Sequence, residues 1–480
     1  MTRLSELVRR DLAADPEITG VTADSRKVAP GFLFAALPGA KADGRAFAAQ
    51  AVAAGAVAIL ADKDLGLAAP TVTAADTRRA YALAAAAFHR AQPAVVVAVT
   101  GTNGKTSVAG FCRQIFAHAG HPAASMGTLG VRVSRPNAAD EQWTPPGLTT
   151  PDAADVAELM ARLAAAGVNR VCMEASSHGV DQRRLDGVAL TAAAFLNLTQ
   201  DHLDYHGDMA TYRAAKLRLF DTLLPRGGTA VLNADSDAFG VFAAAAVTHG
   251  QTILSVGEAG QGLKLIDRQP TPAGQTLTIA AQGETHVVAL PLAGGFQAAN
   301  ALAAAGLCLA AGVDLATTLD ALAELEGAPG RLQRVGAGLN GGEAYVDYAH
   351  TPDGLETVLN ALRPHVRGRL IVVFGAGGDR DRTKRPLMGA IAARLADVGI
   401  VTDDNPRSED PASIRAEVMA GAPGLREIGD RRAAIRAAAA LLSDGDVLVV
   451  AGKGHEQGQT IAGVVHPFDD VTETAAALNV

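Results

Sequence analysis

The 480-residue chain has few cysteines, few aromatic residues, no strong excess of one charge and no long apolar run. Its three cysteines, Cys112, Cys172 and Cys308, are scattered without metal-ligand spacing, which predicts small core residues in a reducing cytosol and no disulfide framework. The net charge of −8 comes from interspersed acids and bases, so no basic stripe favours nucleic acid or a membrane surface. The longest apolar stretch, Ala301–Val313, is too short to span a bilayer and predicts a buried helix.

The N-terminal segment predicts a cytoplasmic protein, because Met1–Asp11 is charged and lacks the apolar core of a signal peptide. A chain of this length is too long for one core and predicts about three domains. The breaks in the predicted elements at Gln92-Pro93 and at Gly327–Gly330, which contain proline and glycine, divide the chain into domains of residues 1–91, 92–329 and 330–480. We expect a monomer that does not insert into membranes.

The alternation of apolar segments predicts an α/β fold in all three domains. A small N-terminal α/β domain is indicated by Gly31–Leu37, Ala56–Ala61 and a helix near Ala80–Arg90. The central domain is predicted as a P-loop-type, mostly parallel sheet with helices on both faces, and the C-terminal domain as Rossmann-like. The predicted strands of these two domains are Val95–Thr100, Arg170–Glu174, Ala192–Leu198, Thr229–Asn233, Leu370–Phe374, Val398–Thr402 and Asp446–Ala451.

A glycine-rich segment directly behind the first central strand predicts nucleotide binding. Residues Thr100–Ser107 read Thr-Gly-Thr-Asn-Gly-Lys-Thr-Ser, and a predicted helix, Val108–His118, follows. Backbone N–H groups of such a turn close on phosphates, the lysine faces the β and γ oxygens, and the next hydroxyl holds Mg²⁺. The common P-loop has a glycine where this chain has Val99, and Gly-Lys pairs also occur in ordinary turns.

Two polar clusters follow strands of the central domain. They are Glu174-Ala-Ser-Ser-His178 and Thr199-Gln-Asp-His-Leu-Asp-Tyr-His206. Ligands of open α/β sheets lie beyond the carboxyl ends of the strands, so Glu174 and His202 are expected to converge on a metal beside the phosphates. The alternative, that Glu174 and His178 cap the following helices, remains open. A catalytic zinc site lacks a soft ligand, and a serine hydrolase lacks its Gly-x-Ser-x-Gly motif.

Three charged segments follow strands of the C-terminal domain and are expected to face one crevice. They are Gly375–Arg385, Asp403–Arg407 and Gly452–Glu456. The glycines lack the Gly-x-Gly-x-x-Gly order of a dinucleotide site. Mixed arginine and carboxylate side chains suit a zwitterion. Arginine binds a carboxylate through two parallel hydrogen bonds, while Asp and Glu bind an ammonium. Each segment alone is more typical of a solvated turn.

Taken together, these motifs resemble the Mur ligase family over nearly the whole chain, and the loop with Val99 is similar to that family's own pattern. The segments that carry the resemblance are Asp24–Arg26, Gly101–Ser107, Leu148–Pro151, Glu174–His178, Asp201–Gly207, Tyr212–Phe220, Phe296–Asn300, Gly330-Arg331, Asp347–Pro352, Asp404–Arg407 and Lys453–Glu456.

The resemblance implies ATP-dependent amide ligation in peptidoglycan synthesis. The D-glutamate carboxylate of UDP-N-acetylmuramoyl-L-alanyl-D-glutamate takes the γ-phosphoryl group, and the amine of meso-2,6-diaminopimelate attacks the acyl phosphate. The alternatives in this class are a lysine-adding or D-alanyl-D-alanine-adding Mur ligase and a folylpolyglutamate synthetase. In other classes, the loop alone leaves a P-loop kinase or GTPase and a non-enzymatic ATP-binding regulator open.

The resemblance also implies roles for residues that bind ATP and Mg²⁺. The catalytic set is Lys105, Glu174, His202 and Lys216, with Lys216 as a carbamate whose N-carboxylate bridges to the metal; by spacing alone Lys216 is simply a helix residue. The metal ligands implied are Thr106, Glu174, His202 and Lys216. The ATP contacts implied are Gly101, Thr102, Asn103, Gly104, Lys105, Thr106, Ser107, Asn300, Arg331, Asp347 and His350.

Two further sets of residues are implied for the other substrates. The UDP-linked dipeptide is expected at Ser25, Ala40, Lys41, Ala42, Thr149, Thr150, Ser176, Gln182 and Arg184, although the family often has His-Gln-Ala where this chain has Ala40-Lys41-Ala42. Diaminopimelate is expected at Arg380, Asp404, Asn405, Pro406, Arg407, Gly452 and Glu456. In that set the arginines fork the distal carboxylate and Glu456 takes the distal ammonium, whereas lysine lacks that carboxylate.

Overall fold

The computed structural model describes residues 2–39, 43–271 and 273–479, and it divides into two compact units. The first unit comprises Met1–Gln261 and Ala303–Thr318, and the second comprises Gly262–Leu302 and Leu319–Val480. The predicted contacts of Ala40, Lys41 and Ala42 lie outside the described residues. The division into three domains stays a prediction. Among the helices of the described ranges, none is both long and apolar enough to cross a membrane.

The first unit begins with a four-stranded parallel sheet in the order β3-β4-β5-β6 and a separate antiparallel pair, β1-β2. Alternate residues of its strands enter two cores: Leu33 and Leu60 lie on one face, while Phe34 and Ile59 lie on the other. This arrangement confirms the small α/β fold predicted here. Its elements are β1 (Thr2–Arg3), α1 (Leu4–Val8), β2 (Glu17–Ile18), β3 (Gly20–Thr22), β4 (Phe32–Ala35), α2 (Ala48–Ala53), β5 (Ala56–Ala61), β6 (Thr71–Thr73) and α3 (Thr77–His89).

The rest of the first unit is built on strands in the order β10-β9-β8-β11-β7-β12-β13-β14. All neighbours from β8 to β14 in this order are parallel, and the edge strands β9 and β10 are antiparallel. Its elements are β7 (Val95–Thr100), α4 (Lys105–His118), β8 (Ala123–Gly127), β9 (Gly130–Ser134), β10 (Glu141–Thr144), α5 (Ala153–Ala165), β11 (Arg170–Glu174), α6 (Ser177–Asp181), β12 (Ala192–Phe195), α7 (Leu203–His206), α8 (Met209–Arg218), β13 (Thr229–Asn233), α9 (Phe239–Thr248) and β14 (Thr252–Gly257).

Strand β7 lies between β11 and β12, and this order aligns the carboxyl ends of the three strands. Glu174 is in register with Val99, and Phe195 is in register with Thr100. Residues that follow these strands therefore leave the sheet at one edge, where open α/β sheets bind their ligands.

The second unit contains an antiparallel meander, β15-β16-β17, and a six-stranded sheet in the order β18-β19-β23-β20-β21-β22. Only β18 is antiparallel to its neighbour in that sheet. Its elements, with α10 and α11 straddling the unit boundaries, are β15 (Leu263–Thr271), β16 (Gly274–Ala281), β17 (Glu284–Leu290), α10 (Gly295–Ala310), α11 (Leu315–Leu322), β18 (Gln333–Ala337), β19 (Glu343–Asp347), α12 (Pro352–Leu362), β20 (Leu370–Phe374), α13 (Lys384–Leu395), β21 (Val398–Val401), α14 (Pro411–Met419), β22 (Arg426–Glu427), α15 (Arg431–Ala439), β23 (Val447–Ala451), β24 (Gly458–Ile461), β25 (Val464–Pro467) and α16 (Asp470–Leu478).

The six-stranded sheet is buried on both faces, as a parallel sheet covered by helices requires. Leu370, Val372 and Phe374 enter one core, and Ile371 and Val373 enter the other. The predicted α/β fold class is confirmed, because both large sheets are mostly parallel and alternate with helices in sequence. Short turns of 3-10 helix occupy Ser25–Lys27, Gly44–Phe47 and Arg363–His365, and one π-helical turn occupies Leu219–Leu223.

Several predicted boundaries are wrong by a few residues. Helix α4 begins at Lys105 instead of Val108, because the left-handed conformation of Gly104 (φ 88°) ends the loop there. Strand β12 ends at Phe195 and not at Leu198, and β21 ends at Val401. Helix α10 ends at Ala310, short of the predicted Val313, since Gly312 takes φ 90°.

The three cysteines meet in the core of the first unit. Cys112 lies on α4, Cys172 on β11 and Cys308 on α10, and each is fully buried. The Cys308 Sγ lies 3.8 Å from the Cys112 carbonyl oxygen, and the Cys112 Sγ lies 3.8 Å from that of Ala304. Burial raises the thiol pKa of all three. The prediction that they are small core residues is confirmed.

Candidate active site

The phosphate-loop sequence forms the turn between β7 and α4, as predicted. Lys105 is the first residue of α4, and its Nζ donates to the carbonyl oxygens of Gly101 at 2.8 Å and Thr102 at 2.9 Å. The Asn103 N–H donates to the Asn197 side chain at 2.9 Å, which fixes the outer part of the turn. A cation above the N-terminus of a helix, where the backbone N–H groups of the first turn carry partial positive charge, is suited to hold phosphate oxygens.

Glu174 is a buried carboxylate at the end of β11. Its Oε1 accepts a hydrogen bond from the Thr128 N–H at 2.9 Å, and its side chain also accepts from the Thr106 hydroxyl. Burial raises the pKa of Glu174 above its usual range. Gly127 leaves the space that this carboxylate fills, because a Cβ there would lie 2.0 Å from Oε1. Thr106 and Glu174, predicted as metal ligands, are thus brought together.

The alternative reading of Glu174 and His178 as helix caps is wrong. The N-cap of α6 is Ser176, whose Oγ accepts the Gly179 N–H at 3.0 Å. His178 lies within the first turn of that helix, and the Glu174 carboxylate faces the Thr128 backbone.

Lys216 lies on α8 with only 1% of its surface exposed, and its Nζ donates to the Gly101 carbonyl oxygen at 2.8 Å. The Nζ is also 4.5 Å from the centroid of the Tyr212 ring, whose hydroxyl lies 3.2 Å from the Thr102 hydroxyl. Burial, with a further contribution from Lys105, lowers the pKa of Lys216 well below its ordinary value. Lys216 is a helix residue, as its spacing indicates, but it is not an ordinary surface lysine, because it is buried and its amine contacts the phosphate loop.

His202 takes a left-handed backbone conformation (φ 52°) and remains exposed in front of α7. Its Nε2 lies 3.4 Å from the Asp201 carboxylate, and its ring centroid is 4.9 Å from that of His178. The His178 ring lies 4.1 Å from that of Tyr205, and burial lowers the pKa of His178. Within residues 2–39, 43–271 and 273–479, no group of three or more His, Cys, Asp or Glu side chains has the arrangement of a metal site. The ligand roles of Thr106, Glu174, His202 and Lys216 stay predictions.

Four residues predicted to contact the sugar-peptide substrate form one hydrogen-bonded group. The Thr150 hydroxyl donates to the Glu174 carbonyl oxygen at 2.9 Å and lies 3.0 Å from the Ser176 hydroxyl. Arg184 donates to the Thr150 carbonyl oxygen at 2.6 Å and to the Gln182 side chain at 2.7 Å. The structure therefore brings these residues together beside the end of β11.

The two other described residues of this set, Ser25 and Thr149, lie in different surroundings. The Thr149 hydroxyl is 2.9 Å from the hydroxyl of Thr128, the residue that holds Glu174. Ser25 lines a cavity of about 1070 Å³ whose wall includes Tyr81 and Asp152. The Tyr81 hydroxyl donates to Asp152 at 2.5 Å, so the cavity wall is tied to the segment that follows Thr149.

Asp347 ends strand β19 of the second unit with both carboxylate oxygens engaged. Oδ2 accepts from the Leu332 N–H at 2.6 Å, and Oδ1 accepts from the Ala349 N–H at 2.8 Å. Burial raises the pKa of Asp347 to about 6, against these hydrogen bonds, which lower it. The carboxylate thereby fixes the turns on either side of β19 next to Arg331 and His350.

The remaining predicted nucleotide contacts of this unit are polar groups with local partners. The Arg331 guanidinium lies 5.1 Å over the Tyr348 ring, and the His350 Nδ1 is 2.8 Å from the Tyr348 carbonyl oxygen. Asn300, buried on α10, donates to the Gln297 side chain at 3.2 Å. Contacts of these residues with a nucleotide stay predictions.

The three charged segments after β20, β21 and β23 meet at one edge of the sheet, as predicted. The Asn405 side chain donates to Glu456 at 2.8 Å and accepts from the Lys453 Nζ at 3.0 Å. The Arg407 guanidinium donates to the Gly378 carbonyl oxygen at 2.7 Å. Amide, carboxylate, ammonium and guanidinium groups thus line one edge, and that combination suits a zwitterionic ligand.

The other predicted diaminopimelate residues differ in their placement. Asp404 is buried, and its Oδ2 has no hydrogen-bond partner among the described residues. Gly452 leaves space for that oxygen, since a Cβ there would lie 2.5 Å from it. Pro406 is buried in the same loop, whereas Arg380 is exposed and donates to the neighbouring Asp379 carbonyl oxygen at 3.1 Å. The structure does not bring Arg380 into hydrogen-bonding contact with the group around Asn405.

Sequence reasoning missed three residues that hold these groups in place. Thr128 binds Glu174 through its backbone N–H, Lys453 binds Asn405 and Glu456, and Gln459 donates to the Asp404 carbonyl oxygen at 2.8 Å. Lys453 belongs to a segment that the sequence singled out, so its spacing from Glu456 was a usable signal. Thr128 and Gln459 carry no such signal, because they lie outside every motif.

Three family models match the chain in order. The model described as "Mur ligase family, catalytic domain" matches residues 17–103, "Mur ligase middle domain" matches residues 99–308, and "Mur ligase, glutamate ligase domain" matches residues 330–454. The UDP-N-acetylmuramoyl-L-alanyl-D-glutamate–2,6-diaminopimelate ligase of Caulobacter vibrioides is 72% identical, covering 99% of this chain and 98% of that protein. The same-named protein of Brucella melitensis is 54% identical, covering 97% and 95%.

Solved structures also match this chain over most of its length, at lower sequence identity. A structure of a UDP-N-acetylmuramoyl-L-alanyl-D-glutamate–2,6-diaminopimelate ligase matches with a TM-score of 0.80 and 36% identity, covering 100% of this chain and 99% of that one. A UDP-N-acetylmuramoylalanyl-D-glutamyl-2,6-diaminopimelate–D-alanyl-D-alanyl ligase from Acinetobacter baumannii matches with a TM-score of 0.62 and 21% identity, covering 94% of each chain. A Mycobacterium tuberculosis folylpolyglutamate synthase matches with a TM-score of 0.59 and 20% identity, covering 84% and 93%, respectively. The last two show a shared fold only.

Proposed function

Since this chain belongs to the Mur ligase family, we propose that it uses ATP to join meso-2,6-diaminopimelate to UDP-N-acetylmuramoyl-L-alanyl-D-glutamate in peptidoglycan synthesis. The relatives at 72% and 54% identity carry this substrate pair in their names. Within the structure, the observation that carries the proposal is the set of groups around Asn405, Glu456 and Arg407. Family membership excludes the kinase, GTPase and non-enzymatic regulator readings of the phosphate loop.

The proposed reaction has two steps that balance. A carboxylate oxygen of the D-glutamate residue attacks the γ-phosphorus of ATP, a P–O bond forms, and ADP leaves with the electrons of the broken bond. The amine of diaminopimelate then attacks the acyl carbon of the acyl phosphate. The tetrahedral intermediate expels inorganic phosphate, and the amine nitrogen loses a proton as the amide forms. Such chemistry depends mainly on positioning and on neutralising charge.

The residues of the phosphate loop supply the positive side of this charge balance. Lys105 holds its ammonium over the turn, where the carbonyl oxygens of Gly101 and Thr102 now accept its hydrogen bonds. When a triphosphate binds, the Lys105 ammonium leaves those carbonyl oxygens and donates to the β and γ phosphate oxygens. The phosphate oxygens bind an ammonium more strongly because they are charged. The N–H groups of the first turn of α4 contribute partial positive charge at the same place.

The residues around Glu174 fit Mg²⁺. Mg²⁺ prefers oxygen ligands, and the Thr106 hydroxyl and the Glu174 carboxylate supply them within one hydrogen-bonded contact. A cation there offsets the penalty that burial places on the carboxylate charge. We assign Thr106 to the Mg²⁺ beside the phosphates, and Glu174, His202 and carbamylated Lys216 to a second ion. Bound Mg²⁺ neutralises charge on the phosphate oxygens.

The surroundings of Lys216 support its proposed carbamylation. Only a neutral amine adds to CO₂, forming an N–C bond and releasing a proton, and burial favours the neutral form of this side chain. The product is an anion, so this point of the phosphate loop gains a negative charge. The resulting carboxylate supplies the oxygen ligand that a Mg²⁺ ion prefers.

We assign the selection of the amino-acid substrate to residues of the second unit. Diaminopimelate carries a distal ammonium and a distal carboxylate, and the proposal pairs them with Glu456 and with Arg407, assisted by Arg380. Lys453, 3.3 Å from the Glu456 carboxylate, holds that carboxylate in place. Lysine leaves the arginine without a carboxylate partner, and an unpaired charged group at a binding site costs affinity.

The UDP-linked substrate is assigned to the first unit, with its uridine end in the Ser25 cavity and its dipeptide at Thr149, Thr150, Ser176, Gln182 and Arg184. The domain boundaries at residues 91 and 329, a monomeric state and a cytoplasmic location belong to the same proposal. Cytoplasmic ATP is the co-substrate that requires this location.

The direct test is a ligation assay on the intact protein with ATP, Mg²⁺ and UDP-N-acetylmuramoyl-L-alanyl-D-glutamate. Diaminopimelate, lysine and D-alanyl-D-alanine are supplied in parallel reactions, and ADP and the amide product are both quantified. ADP release that depends on diaminopimelate supports the proposal. Release with lysine alone overturns the proposed amine, and release without the UDP-linked substrate overturns the ligase reaction.

A further inference from the structure

A short β-hairpin follows the Gly452–Glu456 segment and stands outside the six-stranded sheet. Its strands β24 and β25 pair only with each other in the sheet topology of the described residues, with Gln459 opposite His466. Its outer side chains are open to solvent: Val464 is 56% exposed and Val465 is 67% exposed. A two-stranded hairpin of this length has little stability of its own and needs a contact to hold it.

The hairpin makes that contact with the loop Asp404–Arg407. The Arg407 N–H donates to the Thr460 carbonyl oxygen at 3.0 Å, and the Ala462 N–H donates to the Arg407 carbonyl oxygen at 2.7 Å, which forms a parallel bridge between Arg407 and Ile461. The Thr460 N–H donates to the Asn405 side-chain oxygen at 2.9 Å. The loop is thus bound by hydrogen bonds along its length to an element that pairs with no strand of another sheet in the described part of the chain.

Gln459 adds a side-chain contact to this backbone pattern. Its Nε2 donates to the Asp404 carbonyl oxygen at 2.8 Å in a partly buried position. The neighbouring Asn405 has both ends of its amide engaged, by Glu456 on one side and by Lys453 and Thr460 on the other. Gln459 therefore fixes the loop residue immediately before the amide that organises this site.

Arg407 needs this support because its backbone is in the left-handed region, with φ 54°. A residue other than glycine is strained in that conformation, because its Cβ approaches the backbone. The conformation directs the guanidinium over Gly377 and Gly378, where its Nη1 donates to the Gly378 carbonyl oxygen. A Cβ on Gly377 would lie 2.8 Å from the Arg407 Nη1 and would displace the guanidinium. One on Gly378 would lie 1.9 Å from the Pro406 carbonyl oxygen, so the loop backbone requires glycine there.

We propose that the hairpin β24–β25 sets amino-acid specificity, with Gln459 as the positioning residue that holds the Asp404–Arg407 loop in the form that binds a distal ammonium–carboxylate pair. This inference rests on the function proposed above and adds to it a determinant outside the residues that touch the amino acid. Gln459 acts through Asp404 and Asn405, and the backbone of the hairpin acts through Arg407.

The proposal predicts a selective effect on one substrate. Removing one neutral hydrogen bond changes an equilibrium by about three- to tenfold. For Gln459→Leu we expect KM for diaminopimelate to rise by about that factor, with KM for ATP and for the UDP-linked substrate unchanged. The preference for diaminopimelate over lysine falls in parallel, because lysine does not use the position of Arg407.

Gln457→Leu is the matched control. Gln457 lies just before the hairpin and is exposed, and its backbone carbonyl, which the substitution keeps, accepts the Phe468 N–H. We expect wild-type kinetics for all three substrates. Gln459→Glu tests the same bond by a second route, since a carboxylate keeps the size of the side chain and cannot donate. It replaces Gln459→Leu if that protein does not fold.

Hydrogen exchange of intact wild type and variants gives a readout that does not depend on turnover. We expect faster exchange of the Arg407 and Ala462 amides in Gln459→Leu, with the strands of the six-stranded sheet unaffected. Wild-type turnover with diaminopimelate tests the proposed function separately from the variants. If the variant raises KM for all three substrates equally, or leaves the preference for diaminopimelate unchanged, the inference is overturned while the ligase reaction stands.

Discussion

Lys105 and Lys216 donate hydrogen bonds to the same acceptor, the carbonyl oxygen of Gly101, each at 2.8 Å. Two ammonium groups that share one carbonyl repel each other, and the more buried of the two gives up its charge more readily. Lys216 is the buried one, and its pKa is lowered first by burial and then by Lys105. The phosphate loop therefore contacts two lysines, of which Lys216 is the one that burial and Lys105 favour in its neutral form.

Replacing Lys216 by alanine is expected to abolish ligation, at least about 100-fold, and short carboxylates are expected to restore part of it. The proposed working group at this position is a carboxylate on nitrogen, so acetate or formate can occupy the space left by the side chain. Turnover of Lys216→Ala is measured against acetate concentration, with chloride at equal ionic strength.

Lys105→Ala is the matched control for that experiment. It removes the ammonium that shares Gly101, and no carboxylate can replace a cation. Acetate is therefore expected to leave Lys105→Ala inactive. Equal rescue of both variants, or of neither, contradicts the assignment of a carbamate to Lys216.

The lowered pKa of Lys216 predicts that stability rises with pH. Between the folded-state pKa and the ordinary value of 10.5, the unfolded chain binds a proton that the folded chain does not. Wild-type unfolding free energy therefore gains a positive contribution as pH rises through that window. Lys216→Met lacks this contribution, so urea unfolding at pH 7, 8 and 9 is expected to show a smaller gain with pH for the variant. Parallel curves contradict the buried amine.

The raised pKa of Asp347 predicts the opposite pH dependence: at lower pH, the free energy of unfolding falls as pH rises. Between the ordinary value of 3.8 and about 6, the folded chain binds a proton that the unfolded chain has lost, so stability falls as pH rises through this range. Asp347→Asn has no such proton. We expect its unfolding free energy, relative to wild type, to increase by roughly 2 kcal/mol from pH 4 to pH 7 in urea titrations.

Plotting the free energy of unfolding against pH for wild type and Asp347→Asn separates the effect of the raised pKa from the loss of hydrogen bonds. An Asn amide can accept only one of the two N–H groups, of Leu332 and Ala349, that Asp347 accepts. That loss lowers stability by the same amount at every pH. A difference between variant and wild type that stays constant from pH 4 to pH 7 contradicts the raised pKa.

Gly127→Ala is expected to displace the Glu174 carboxylate, because the new Cβ would lie 2.0 Å from its Oε1. Overpacking of this kind costs about 1–3 kcal/mol of stability, and we expect turnover to fall by at least about tenfold. Gly147→Ala is the control, since nothing lies within 4 Å of a Cβ there. Thermal unfolding and the ligation assay are measured on both; normal turnover of Gly127→Ala would show that Glu174 is not a ligand.

Arg407→Ala is expected to lower kcat/KM for diaminopimelate by roughly 10- to 100-fold, the range for loss of a hydrogen bond to a charged group. KM for ATP should change by less than about twofold, because the phosphate loop does not involve Arg407. Steady-state kinetics with each substrate varied in turn measure kcat/KM for diaminopimelate and KM for ATP separately. Equal losses for ATP and diaminopimelate contradict the assignment of Arg407 to the amino acid.

The parts of the fold that the sequence predicts are those whose signal is local. β7, the glycine turn and α4 follow one another within one stretch, and β20, β21 and β23 are continuous apolar runs. The antiparallel meander β15–β17 was not predicted, because its exposed faces interrupt the apolar runs: Ile266 is 52% exposed and Val287 is 70% exposed. Strands with one solvated face give a weaker pattern than strands buried on both faces.

The candidate site shows the same limit. Lys216 is 115 residues away in sequence from the carbonyl oxygen that it contacts, and only its resemblance to a family position marked it in advance. The space that Gly127 leaves for Glu174 depends on the pairing of β8 with β11, which no local pattern gives. Residue types and spacings thus pointed to the chemistry, whereas burial and the partners of each charged group required the folded chain.

The burial of Cys112, Cys172 and Cys308 makes the wild-type chain a ready background for site-directed labelling. All three thiols are fully buried, and burial raises their pKa, so the reactive thiolate is both scarce and shielded from a water-borne maleimide. A cysteine introduced at exposed Val465 then becomes the preferred site for a fluorophore or a spin label, without first removing native residues from the core. A label there reports on the surroundings of the hairpin in a protein whose phosphate-loop helix and Glu174 strand keep their native packing.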